Sequence, residues 1–135
     1  MARQTHIHAT SGAAGRLRDA RPGHLEVLRV LRARPRVRGM DRAALLRNGG
    51  PARLQLEGAP GSPGSIVRRA ELVFLSGLAV PLPELDRGRR LMRLYYPMEE
   101  FHHVVDVLAQ RAQHFFYLWR PGDGGCALAM LVASR

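Results

Sequence analysis

At 135 residues the chain has the length of one domain, enough to bury most of its apolar surface without disulfides or metals. Its single cysteine, Cys126, excludes an intramolecular disulfide scaffold, and no Cys and His spacing of a zinc module occurs. No run approaches the roughly 18 consecutive apolar residues of a membrane span, and the N-terminus lacks the apolar core of a secretory signal. The expected protein is cytoplasmic and has no membrane partner.

The formal net charge is +10, and all 21 basic residues are arginine. Lysine is absent, asparagine occurs only as Asn48, and isoleucine only as Ile7 and Ile66. That is the residue usage of a GC-rich genome, so arginine in place of lysine is no evidence for phosphate recognition. The position of the charge is more informative. Residues 1–39 carry nine arginines against Asp19 and Glu26, a net +7, and residues 40–135 carry a net +3. All eight aromatic residues lie between Phe74 and Trp119. The chain therefore divides into a basic, partly disordered N-terminal arm, 1–39, and a single domain, 40–135. Two further readings would remove the arm from the functional protein: a true start at Met40, and an arginine-rich organellar transit peptide.

In chain order, residues 1–23 show no sustained apolar period and read as disordered. In 24–34, Val27, Leu28 and Leu31 share a helical face with Arg29 and Arg32 opposite, which predicts a short amphipathic helix ending before Pro35. Asp41 is placed to cap a second short helix through Leu45 and Leu46, with Gly49 and Gly50 at its C-terminal turn. Strands are predicted over 52–57 and over 67–76, where Leu72, Val73, Phe74 and Leu75 form an apolar run. Residues 77–88, with Pro81 and Pro83, read as a loop, and 91–96 as a third strand. After Pro97, Phe101, Val104, Val105 and Leu108 fall on one stripe of a helix over 98–111. Strands over 115–120 and 126–133 flank a turn at 121–125. The expected fold is α+β: an antiparallel or mixed sheet of about five strands in the order β-β-β-α-β-β, one packed helix, and short N-terminal helices before it.

One helix covers only one face of such a sheet. Phe115, Tyr117 and Trp119 point one way along their strand, and Phe116 and Leu118 the other. The uncovered face requires the N-terminal helices or a second copy of the chain to shield it. Phe115, Tyr117 and Trp119 are the expected interface residues, and a homodimer or another protein the expected partner.

Candidate chemistry centres on Glu99, Glu100, His102, His103 and Asp106. Glu99 with His103, and His102 with Asp106, stand four positions apart, a spacing that suits an ion pair or two ligands of one metal. Glu99, His103 and Asp106 lie opposite the apolar stripe, where water is the expected neighbour, and a metal would need a third ligand such as His114. Cys126 sits among small apolar residues in a predicted strand and reads as a small hydrophobe. Gly122, Gly124 and Gly125 precede a strand rather than a helix, so they read as turn glycines and not as a phosphate loop. His6 and His8 form an exposed pair in the arm.

Arg29, Arg32, Arg34, Arg36 and Arg38 could neutralise several phosphates of RNA or DNA, although no recognition helix, zinc module or ribonucleoprotein motif accompanies them. The sequence thus points to a small non-enzymatic binding module that self-associates through an apolar sheet face and needs no cofactor. Electrostatic nucleic-acid binding through the arm is the alternative, and an enzyme or metal site at His102, His103 and Asp106 is the third reading.

Overall fold

Alternation of apolar and polar residues, the mark of a sheet with one buried face, governs most of this chain. The computed structural model describes residues 4–8, 23–34, 52–77, 79–122 and 127–134. Among them lie eight strands: β1 (Gln4–His8), β2 (His24–Arg34), β3 (Ala52–Pro60), β4 (Arg69–Leu75), β5 (Glu84–Asp86), β6 (Leu91–Pro97), β7 (Gln113–Arg120) and β8 (Leu128–Ser134). One α-helix, α1 (Phe101–Ala109), is entered through a 3-10 turn at Met98–Glu100. A single curled sheet takes the strands in the order β1-β8-β7-β2-β3-β4-β6-β5, antiparallel throughout except for the parallel pair β4 and β6.

The inner face of the sheet carries the core. Leu28, Leu54, Leu72, Met92, Phe116 and Leu131, one from each of six adjoining strands, are completely buried. Helix α1 closes this face by inserting Phe101, Val104, Val105 and Val107. The Phe101 ring meets Phe74 edge-on at 5.0 Å, and Phe74 stacks on Tyr96 at 5.5 Å. The helix is further pinned by His114 of β7, whose Nε2 donates to the Val107 carbonyl at 2.7 Å.

The expectation of five strands behind short N-terminal helices is corrected: the described residues are mostly sheet, with one helical segment among them. Residues 24–34 form a strand, not a helix. Their backbone is flanked by β7 and β3, with Leu28 opposite both Phe116 and Pro60, and two rows of inter-strand hydrogen bonds outweigh a weak helical period. A register shift between Val30 and Arg32 marks a bulge at Leu31, which breaks the simple alternation a reader would look for. Residues 4–8, read as part of a disordered segment, pair with β8 from Gln4 opposite Ser134 to His8 opposite Met130. Strand β5 lies within the expected loop 77–88. The helix expected through Leu45 and Leu46 falls outside the described residues. The sheet thus draws strands from both sides of Met40.

Glu26 shares the inner face with Leu28 and is fully buried. Its Oε2 accepts the backbone N–H groups of Ile66 at 3.0 Å and Val67 at 3.2 Å, and its Oε1 accepts from His24 Nε2 at 2.8 Å. Beside it, the Val27 N–H donates to Ser65 Oγ at 2.9 Å, and the Val27 carbonyl accepts from the Gly61 N–H at 2.7 Å. The connection 61–68 is therefore fastened along the first half of β2. The approach between β2 and β3 is close: a Cβ on Gly58 would collide with the Arg29 carbonyl, so the side chain there must be hydrogen.

Two outcomes test this arrangement. A chain beginning at Met40 loses β1 and β2 and leaves β7 and β3 without the strand between them; it is expected to show no cooperative thermal transition by calorimetry, and an intact transition would refute the topology. Glu26→Ala strands two buried N–H donors and is expected to lower urea-unfolding stability by about 3 kcal/mol, whereas Glu26→Gln, which keeps one acceptor oxygen, costs about 1–2 kcal/mol.

Candidate functional site

The outer face of the sheet divides into an apolar half and a charged half. Along β7, His114, Phe116 and Leu118 turn inward and are buried, while Phe115, Tyr117 and Trp119 turn outward and are half-buried. Strand register extends these three into rows: Leu25 beside Trp119 and Leu128, Val27 beside Tyr117 and Met130, Arg29 beside Phe115 and Val132. The first two rows contain no charged side chain. Leu25 is 41% exposed, and the Phe115 and Tyr117 rings lie 6.5 Å apart with their planes tilted by 43°. The Trp119 ring covers Gly23 so closely that any Cβ there would strike it, and its Nε1 is buried without a hydrogen bond among the described residues.

The charged half runs over β3, β4 and β6. Arg29, Arg32 and Arg34 are exposed. The bulge at Leu31 is what brings Arg29 and Arg32, three positions apart, to the same face. Arg32 hydrogen-bonds Glu57 through two guanidinium nitrogens, and Arg34 reaches the same carboxylate at 3.5 Å. The Arg32 hydrogen bond, aided by the charges of Arg32, Arg34 and Arg69, holds the Glu57 carboxyl below its usual range. Glu71 likewise bridges Arg53 at 3.4 Å and Arg93 at 3.3 Å, and Arg93 also meets Glu84 at 3.4 Å. Arg29 pairs with no carboxylate among the described residues, and Arg36 and Arg38 lie outside them. The row of arginines expected to act as one phosphate contact is thus partly consumed by cross-strand pairing within the fold.

The helix cluster is not assembled into a metal site. His102, His103 and Asp106 are exposed on α1, away from its buried stripe. His114, the expected third ligand, is buried on the inner face, where its Nε2 is engaged by Val107. Among the described residues, no group of three or more His, Cys, Asp or Glu side chains could hold a metal ion. Cys126, Gly124 and Gly125 lie outside them. Tyr96 and Glu100 form a different polar pair: the Tyr96 hydroxyl and Glu100 Oε2 are buried and make no hydrogen bond among the described residues. Burial, with the nearby Glu100 charge, pushes the Tyr96 phenol far above its usual range, so it holds its proton at neutral pH. Among the described residues, no helix is long and apolar enough to cross a membrane.

Two groups that matter to this surface escape a reading of the sequence. Glu26 was detectable only as the lone acid inside the apolar run of β2, and the arginines at 68–69 and 87–90 become neighbours only through folding.

Burial pushes the His114 imidazole below its ordinary value, against the opposing pull of its bond to Val107. The unfolded chain therefore takes up this proton more readily than the folded one, so its contribution to stability is complete above the unfolded value of about 6.5 and is lost as pH falls below it. Wild-type urea midpoints are expected to fall between pH 7.5 and 5.5, and His114→Gln is expected to flatten that decline. An unchanged slope would show that His114 is not responsible.

Comparison of the chain with protein-family models, with curated proteins and with solved structures finds no match.

Proposed function

We propose that the chain is a non-enzymatic binding module that self-associates through the outer face of β7 and its neighbours, presenting Phe115, Tyr117 and Trp119 to a second copy. The observation that carries this reading is the run of uncharged, partly exposed side chains Leu25, Trp119, Leu128, Tyr117 and Met130, set around a buried Val27. An apolar patch of this kind is energetically expensive to leave in water, and the one helix among the described residues packs on the opposite face. A patch without charge is complementary to itself, which is what a two-fold contact between identical chains requires. Aromatic side chains at the centre supply the large area and low entropy cost that interface anchors need.

A cation borders the patch at the end where Arg29 stands beside Phe115. Copies brought together here repel one another through this charge, so added salt should strengthen the association rather than weaken it. Sedimentation velocity across about 1–100 µM protein is expected to show a dimer favoured by salt, and Tyr117→Arg is expected to raise its dissociation constant at least ~10-fold with little change in melting temperature. A wild-type monomer at the upper concentration, at either salt, overturns the proposal.

A further inference from the structure

The turn joining β5 to β6 gathers arginines of which Arg89 alone meets a carboxylate among the described residues. Arg87, Arg89 and Arg90 belong to the turn, and Arg68 and Arg69 lie beside it where the chain enters β4. Backbone bonds hold the two segments together: the Arg90 carbonyl accepts the N–H groups of Arg68 at 2.9 Å and Arg69 at 3.2 Å, and the Arg90 N–H donates to the Arg87 carbonyl at 3.3 Å. Arg69 Nη2 adds a bond to the Arg89 carbonyl at 3.1 Å. Arg90 adopts φ 52°, the left-handed region that glycine or asparagine would occupy with less strain. The chain keeps a long cation at the position least suited to it.

All five of these arginines are exposed. Arg89 makes a loose ion pair with Asp86 at 3.8 Å, and none of Arg68, Arg69, Arg87 and Arg90 makes one with a described residue. The contrast with Arg32, Arg34, Arg53 and Arg93, each answered by a glutamate, shows where uncompensated charge collects. Two concavities flank the turn. A groove of about 250 Å³ is lined by Arg69, Arg89 and Arg93 with Gln55, Glu57 and Glu71, and a wider depression of about 510 Å³ by Arg87, Arg93 and Arg120 with Glu84 and Asp86. The two share Leu91 and Arg93. Guanidinium groups thus succeed one another from one concavity to the next, as they must to follow an anion that repeats along a polymer.

We propose that this arginine turn contacts the phosphate backbone of a single-stranded nucleic acid, without reading its sequence. The favoured occupant follows from the chemistry on both sides. Guanidinium planes bond phosphate oxygens in pairs and stack on unpaired bases, whereas residues 87–90 carry no apolar side chain that could enter a lipid surface. The carboxylates that line each concavity keep the site weak and strongly dependent on salt.

The test measures fluorescence anisotropy of a labelled 20-nucleotide single-stranded RNA of mixed sequence, and of the same sequence as DNA, with the full chain at two salt concentrations. The triple variant R68Q/R87Q/R90G is compared with R29Q/R32Q/R34Q, which removes the same charge from β2, and both are checked for folding by thermal melt. The turn variant is expected to bind at least ~10-fold more weakly, with a salt slope shallower by about 2, while the β2 variant loses less than ~3-fold. R87Q alone, at a side chain that makes no described bond in the fold, is expected to reduce the slope by about 0.7 and keeps the test valid if the triple variant unfolds. RNA and DNA are expected to bind within about 3-fold of each other, as a backbone contact requires. Equal losses in both triple variants, loss confined to the β2 set, no binding by the wild type, or binding to phosphatidylserine vesicles but to neither oligonucleotide would each overturn the proposal.

Discussion

Glu26 accepts two backbone N–H groups and a histidine N–H from a position with no exposure to water, and much of the architecture turns on that carboxylate. Strand β2 is flanked by β3 along its second half, but β3 ends at Pro60, opposite Leu28. Beyond that point the chain leaves the sheet through 61–68, and its N–H groups would lie buried without partners if a side chain did not receive them. Glu26 receives those of Ile66 and Val67, and the Ser65 hydroxyl serves the N–H of Val27 in return. A carboxyl side chain suits this task, because its two oxygens can accept all three of these bonds. Val67 then enters the core, and the chain reaches β4 in register with β3.

The same sheet solves opposite problems on its two halves. Over β3, β4 and β6 the outer face carries arginines and glutamates that pair across strands, so a wet face is stabilised by neighbouring opposite charges. Around β7 the outer residues are aromatic and aliphatic, and no cross-strand charge is available. Glu57 and Glu71 are each shared by two arginines, and this leaves the face positive even where the cations have partners. The protein's excess charge is thus a property of its folded surface as well as of its N-terminal segment.

From Ala52 onward most elements were readable, β5 excepted, because local signals there agree with the final structure. Leu54 and Leu56 alternate with Arg53 and Gln55, and Pro97 opens the helical turn that leads to the Phe101 stripe. The helix expected over 24–34 is overturned for a physical reason: Leu31 is an extra residue in β2, and the bulge shifts the apolar spacing toward one that resembles a helix. Tertiary pairing with β7, some ninety residues distant, decides the outcome, and no local window contains that information. The outward placement of Phe115, Tyr117 and Trp119 could be read from alternation alone. The meeting of Arg68 and Arg69 with the turn at 87–90 could not, since it depends on the parallel pairing of β4 with β6.

That long-range pairing has a consequence for how the chain comes to be folded. Gln4 lies opposite Ser134 and His24 opposite Arg120, so β1 finds its partner, and β2 one of its two, about a hundred residues or more further along the chain. Loop closure over such separations is slow, and most of the entropy is lost before the contacts that compensate it exist. During synthesis β2 can pair along one edge with β3, but its other edge, with Val27 and Leu28, must wait until β7 has left the ribosome. Until then that edge is open to any other strand, and the nascent chain is most vulnerable to mispairing just before β7 arrives.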